Sequence, residues 1–443
     1  MSLQKALQQS ILWRGLYFVV ILLLNIMVSR YLQATISGWL FYVSNVFAFM
    51  VMLTGFNIEN GLSYVAAKNE ALPPLVTWGI VATIVAALLL GVLYVLGVQV
   101  PQAPLGITVA DSTSYAFAYI LGILMQNIFC NLFFAKGSFV VPHAILVAIN
   151  LLLIVYLLYL GMPTDNMHIK PYLDAFFYVH PIQGLVLLFV FSLQYKAWPM
   201  MQWPQWKMLK TVLRFSTMAL LGNAIFFLVY RIDYWFVQQA TLQQPEALGN
   251  YIQASKLGQM LLIVPQILAT AIFPQTAGRT NYDEIIKSVG SVSRLLWQVF
   301  VLIALALLLM GEWLFTSVFG SSFATMHIPF LLLLPGLWGL SVLALLSAYF
   351  SGRGKVWVNI VGATIALIVV LIACAIWVPT YGYVAAAIIS SVAYLANTVF
   401  AWYQLQQYEA ISWRTLLGWR QADYQWLWQL IAGKHTTQHA TKS

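Results

Sequence analysis

Apolar residues are gathered into twelve long runs along the chain, and charged residues stand almost entirely between them. The runs cover residues 16–28, 39–56, 75–98, 115–135, 140–160, 175–193, 215–237, 248–272, 295–310, 328–350, 356–378 and 383–402. Most approach roughly 20 residues, the length at which a helix crosses the hydrocarbon core of a bilayer. In lipid each segment must satisfy its own backbone polar groups, so these runs predict helices. The expected fold class is an all-α membrane protein with twelve transmembrane helices.

The polar segments between the runs set the orientation. The even-numbered loops and both termini hold seventeen of the cations, among them Lys5, Arg14, Lys68, Lys136, Lys196, Lys207, Lys210, Arg214, Arg294, Arg353 and Arg420. The odd-numbered loops hold two, Arg30 and Lys170, and the remaining two, Arg231 and Lys256, lie within runs. Cytoplasmic loops retain Lys and Arg, which places both termini in the cytoplasm. A missed or spurious span would scramble this alternation.

Six runs, a basic segment and six more runs describe two halves of the same topology. The expected organisation is a six-helix lobe over residues 1–195, a basic cytoplasmic linker over 196–214, a second six-helix lobe over 215–403, and a cytoplasmic tail over 404–443. An even number of spans in the first half makes the repeat parallel, with its axis along the membrane normal. Arg14 opens the first run and Arg30 closes it sixteen residues later, while Arg214 opens the seventh and Arg231 lies seventeen residues on. The second run is approached through Ser37-Gly38 with Tyr42 just inside, as the eighth is approached through Leu248-Gly249 with Tyr251. In the tail, residues 412–432 put Trp413, Leu417, Tyr424, Leu427, Trp428 and Ile431 near one helical face, the pattern of an interfacial helix.

Composition narrows the classes. With 62% hydrophobic and 7% charged residues the chain lies outside the soluble range. Its formal charge of +9 is the positive-inside bias, which also favours anionic inner-leaflet lipids and calls for no nucleic acid. Cys130 and Cys374 lie within runs and read as small apolar packing residues. The first run lacks a signal-peptidase site and reads as retained. No Walker-type glycine loop or cofactor motif occurs, so neither ATP nor a cofactor is expected to act within this chain. His435 and His439 have helical ligand spacing in a polar tail, where no metal centre is expected. No catalytic constellation appears, and the chain is not expected to be an enzyme.

Lys256 is the deepest charge. If the eighth run enters at Leu248, eight residues at ~1.5 Å carry Lys256 about 12 Å into the core. A central Lys costs roughly 2.5–3.5 kcal/mol on insertion scales, tolerable where the amine meets water, a partner or a substrate. Asn250, Gln253, Lys256 and Gln259 recur every three residues and draw a polar stripe down this helix. The stripe reads as the lining of a wet cationic cavity; the alternatives are a pair with Asp233 or outward snorkelling. Arg231 and Asp233 stand two apart, so they point to different faces, and they serve either the cavity or an interfacial anchor beside Tyr230, Tyr234 and Trp235. Arg14 and Arg30 face the same choice at the membrane edge. Acids within the spans are scarce, so the residues name no coupling ion. Pro265 and Pro335-Gly336 weaken helical hydrogen bonding and mark kinks or hinges.

The series Arg231-Ile232-Asp233, Leu248-Gly249-Asn250-Tyr251, Ala254, Lys256, Pro265 and Phe273-Pro274 resembles the span 7–8 region of polysaccharide flippases. These are the O-antigen and exopolysaccharide members of the multidrug/oligosaccharidyl-lipid/polysaccharide exporter superfamily. Arg14, Arg30 and Ser37-Gly38 look like that family's N-terminal region, and the likeness runs the length of the chain as topology. The resemblance implies two laterally opening lobes around a cationic cavity in a bacterial inner membrane. It implies a polyprenyl-pyrophosphate-linked oligosaccharide moved from the inner to the outer leaflet, with a polysaccharide polymerase or glycosyltransferases of the same pathway as partners. Lys256 matches the family's cationic position on span 8; Arg14, Arg30 and Arg231 become cavity cations, with Asp233, Asn250 and Gln253 beside them. The second run departs from the pattern in carrying no Arg or Lys. A drug or metabolite exporter of the same superfamily shares the topology. A major-facilitator transporter would carry a signature that residues 57–68 lack, and a membrane glycosyltransferase would need more outer-loop acids than Asp111, Asp165, Asp174 and Glu246.

Overall fold

The computed structural model describes residues 3–68, 71–96, 106–163, 168–198, 206–277, 282–409, 416–418 and 420–424. These residues form helices, with no strand among those described. In chain order the helices are α1 (Leu3–Gly55), α2 (Ile58–Ala67), α3 (Leu72–Val95), α4 (Val109–Ala135), α5 (Val140–Leu160) and α6 (Lys170–Gln194). There follow α7 (Trp206–Ala240), α8 (Pro245–Met260), α9 (Ile263–Ala277), α10 (Asp283–Phe319), a 3-10 turn (Ser321–Met326), α11 (His327–Gly352) and α12 (Trp357–Tyr408).

Ten helical stretches among the described residues are long and apolar enough to cross a membrane. Two of them hold two predicted runs each. The 52 residues of α12 would measure about 78 Å if straight, far beyond a ~30 Å hydrocarbon core. The helix is broken at Gly382 (φ 61°, ψ −145°), and α1 is broken at Gln33 (φ 56°, ψ 175°). A third run is divided between α8 and α9. Pro265 has no N–H to offer Leu261, four residues back, and the chain makes a turn at Leu261–Leu262.

The described chain packs as two compact units, one of residues 1–252 with 315–324, the other of 253–314 with 325–443. In the first, α4 lies along α6, and Tyr115, Phe129, Phe133, Phe177 and Phe191 fill the seam. The helices approach closely where Gly122 faces the His180–Pro181 backbone, since a Cβ there would overlap it. The segment read from sequence as a loop, 57–68, is largely the short helix α2. It packs on α7, with Tyr64 stacked on Phe215 at 3.6 Å between ring centroids.

In the second unit α11 packs along α12, with Gly336 against Ser391 and Gly339 against Leu395 and Thr398. Pro335 bends α11 without ending it. Ser391 inserts its hydroxyl into the helical ladder, accepting from Gly336 N–H at 3.1 Å and donating to Leu332 C=O at 2.6 Å. Helix α10 begins twelve residues before its apolar run, so Lys287 and Arg294, expected in a loop, are helical. Arg294 is buried against Asp423 of the tail, with Nε to Oδ2 at 2.7 Å and Nη2 to Oδ1 at 2.5 Å. Most of the predicted interfacial helix at 412–432 lies outside the described residues.

Candidate functional site

The break in α1 organises the polar residues of the first unit. Where α1 departs from helical geometry at Gln33, the next amide, Ala34 N–H, has no partner inside its own segment. It donates to Ser322 Oγ at 3.0 Å, from the 3-10 turn 288 residues later. Ser322 C=O in turn accepts from Asn250 Nδ2 at 2.9 Å, and the same amide donates to Glu246 C=O at 2.9 Å. Arg30, just before the break, donates to Ser317 C=O at 2.9 Å and Val318 C=O at 3.4 Å. These carbonyls close α10, where a cation also complements the helix dipole. Arg30 is exposed and acts as a cap in this arrangement.

A glycine contact completes the junction. A Cβ on Gly38 would stand 2.6 Å from Gly249 Cα and 2.7 Å from Gly249 N. A Cβ on Gly249 would overlap Ala34 C=O. Two backbones therefore touch with no side chain between them, at the positions that the sequence pairs as equivalents in the two halves.

Beside this junction the end of α7 carries a connected polar chain. Asp233 is 1% exposed, accepting from Tyr234 N–H at 2.9 Å and from the Tyr251 hydroxyl. The Tyr234 and Tyr251 rings meet edge to face at 5.8 Å. Arg231 Nη1 donates to Tyr234 Oη at 2.6 Å, and the guanidinium lies 5.3 Å from that ring's centroid. Among the described residues no carboxylate pairs with Arg231, which remains partly exposed. Tyr119 of α4 lies within electrostatic range of this guanidinium.

Asn250 and Gln253 are buried on α8, while Lys256 and Gln259 on the following turns are partly exposed. Gln259 Nε2 reaches Ser255 Oγ at 3.3 Å. Asn250 Oδ1 and Gln253 Oε1 are buried without a hydrogen-bond partner among the described residues. Arg14 is exposed on the first segment of α1, sixteen residues and about 24 Å of helix from Arg30. The structure thus brings Arg231, Asp233, Asn250 and Arg30 around the α1 break and leaves Arg14 apart. Ser322 and Tyr119 escape sequence reasoning, because a single Ser or Tyr in an apolar chain carries no local signal. Buried Asp233 accepts from Tyr251, a partner that sequence reasoning did not name. No group of three or more potential metal ligands occurs among the described residues.

No protein-family model matches this sequence, and no curated protein matches it by sequence. Solved structures do match. The lipid II flippase MurJ in an inward closed conformation superposes with a TM-score of 0.68 at 11% identity, over 89% of this chain and 87% of that one. The Vibrio cholerae MATE transporter VcmN in its bent form gives 0.59 at 16% identity, over 91% and 97%. A MOP-superfamily transporter from Pyrococcus furiosus, whose reversed pocket polarity suggests a different function, gives 0.58 at 15%, over 91% and 95%. The chain therefore has the fold of MOP-superfamily transporters.

Proposed function

We propose that this protein is a flippase that moves a polyprenyl-pyrophosphate-linked oligosaccharide from the cytoplasmic to the outer leaflet of a bacterial inner membrane. In this reading it crosses the bilayer twelve times in two six-helix lobes with both termini cytoplasmic, and serves the synthesis of an O-antigen, capsule or exopolysaccharide. The observation that carries it is Arg231. A guanidinium on a membrane-crossing helix is costly, and here it is neutralised by no described carboxylate and meets the hydroxyl and ring of Tyr234. Asp233, two residues on, accepts hydrogen bonds from Tyr251 and from the Tyr234 amide of its own helix. Such a cation suits an anionic substrate.

A pyrophosphate carries about two negative charges, which Arg forks and Lys amines compensate strongly at low dielectric. Arg231 is the proposed contact. The polyprenyl tail stays in lipid while the sugars pass through the wet interior, and rocking of two repeats provides alternating access. The protein moves its substrate without making or breaking a bond.

The test is transport by purified protein in liposomes, scoring exposure of a polyprenyl-pyrophosphate oligosaccharide on the opposite leaflet and, in parallel, uptake of a soluble cationic dye. Lipid movement that is lost in Arg231→Ala and partly kept in Arg231→Lys, where the charge survives but the fork does not, is the expected result. Dye movement without lipid movement would replace this reading with the drug exporter.

A further inference from the structure

A cavity of about 650 Å³ lies in the first unit between α3, α4 and α6. Its walls include Tyr94, Phe117, Leu121, Tyr178 and Pro181. Of the hydroxyls on it, those of Thr113, Ser114 and Tyr178 are already engaged: Thr113 Oγ1 donates to Val109 C=O at 2.9 Å, and Ser114 Oγ shares a 2.8 Å hydrogen bond with Tyr178 Oη. A visitor therefore meets an apolar surface. The cavity is open, since Tyr94 and Tyr178 are 46% and 40% exposed. All three helices are long and apolar enough to cross a membrane, and the neighbouring surface of α3 exposes Leu88, Leu89 and Val92. The medium at such a mouth is hydrocarbon, so the occupant is an acyl chain.

The rim names the rest of the molecule. One turn before Ser114 on α4, Asp111 takes Lys170 Nζ at 2.5 Å; the same amine lies 3.3 Å from Asp174 Oδ1. That oxygen also accepts from Tyr115 Oη at 2.6 Å, while Asp174 Oδ2 takes no hydrogen bond among the described residues. Asp111 has spent its second oxygen on the amide and hydroxyl of Thr108. The cluster is left with a net charge of minus one, an open carboxylate oxygen, and an ammonium whose side chain is 43% exposed. Two opposite charges side by side fit a zwitterion. A primary ammonium donates to Asp174 Oδ2 while the adjoining phosphate meets Lys170. A quaternary ammonium has no N–H to donate, and an anionic head group meets an excess of negative charge.

From this geometry we infer that the α3–α4–α6 cavity is a binding site for a zwitterionic phospholipid with a primary amine, of the phosphatidylethanolamine type. Its acyl chain fills the cavity and its head group sits on Asp174 and Lys170. The site is separate from the transported substrate and independent of the flippase proposal.

The test places the full-length protein in nanodiscs of phosphatidylethanolamine, phosphatidylcholine and phosphatidylglycerol in equal parts, then counts retained lipids by native mass spectrometry after detergent exchange. One phosphatidylethanolamine should be retained at least fivefold over either other lipid. Ala118→Trp, which puts an indole into the cavity, should abolish that retention, and Asp174→Asn should erase the preference for the amine. Equal retention of the three lipids by the parent chain overturns the inference, as does unchanged selectivity in Asp174→Asn, which decides the matter if Ala118→Trp does not fold.

Discussion

Gly38→Ala adds one methyl group at the point where α1 meets the start of α8. Intrinsic helix propensity favours Ala over Gly by about 1 kcal/mol, so a free helix would gain. Here the new Cβ would sit 2.6 Å from Gly249 Cα, against 3.4 Å for an ordinary contact, and both neighbours are backbone. No rotamer relieves the overlap, so the two backbones must part by at least 0.8 Å, the difference between those distances. Overpacking of this kind costs about 1–3 kcal/mol. Setting the propensity gain against a middle value leaves about 1 kcal/mol against the closed junction, close to a fivefold shift toward parted helices. The reporter is Ser37→Cys, at a position 0% exposed, in a chain whose Cys130 and Cys374 are replaced by Ala. Its labelling rate by a water-soluble maleimide should rise about fivefold when Gly38→Ala is added, and more when Gly249→Ala is added. An unchanged rate in a stably folded Gly38→Ala protein would refute the packing argument.

Removing one partner of a buried ion pair leaves the other charge stranded, so Asp423→Asn should destabilise the second unit by about 3–5 kcal/mol. Adding Arg294→Leu should recover part of that loss, and proteolysis of the tail in detergent reads both effects. Burial pushes the Asp423 carboxyl up, but hydrogen bonds from Arg294 and Ser291 outweigh it and hold the group below its ordinary value. Its stabilisation is therefore present above the unfolded carboxylate value and is lost as pH falls through the folded one, so tail cleavage should accelerate only in acid. Glu59, on α2 between two membrane-crossing helices, behaves oppositely: burial raises it to about 7 against a weaker backbone hydrogen bond. The native state then holds the extra proton, and stability should fall as pH rises from the ordinary carboxylate value through about 7; parallel melting curves for the parent and Glu59→Gln would contradict this. Ser391→Ala should cost about 1–3 kcal/mol by stranding Gly336 N–H and Leu332 C=O in the bend of α11, measurable as a lowered melting temperature.

The apolar runs made the membrane-crossing helices legible, because in lipid a run of suitable length has one stable conformation. Helix beyond the runs was less visible. The start of α10 carries Asp283 and Glu284, which suit a helix N-terminus although they lower hydropathy. Helix α2 is short and stands on tertiary contacts such as Tyr64 on Phe215, which no local pattern reveals. At the candidate site, charge in an apolar setting drew notice to Arg231, Asp233 and Lys256, since its cost demands an explanation. What each charge meets was hidden by sequence distance: Arg30 finds carbonyls 287 residues away, and Asp423 lies 129 residues from Arg294.

The hydroxyl that caps the second segment of α1 is made long after that segment. Ser322 lies 288 residues beyond Ala34, an interval of roughly 15–60 s at ribosomal speeds of ~5–20 residues per second. Throughout that time the break at Gln33 is without its cap and Arg30 without the carbonyls of α10. The N-terminal unit is thus finished from its far end, by a stitch that arrives only when the α10–α11 turn emerges. A nascent chain halted before residue 315 would hold this junction unfastened inside the membrane, open to the quality-control proteases that survey unfinished bundles.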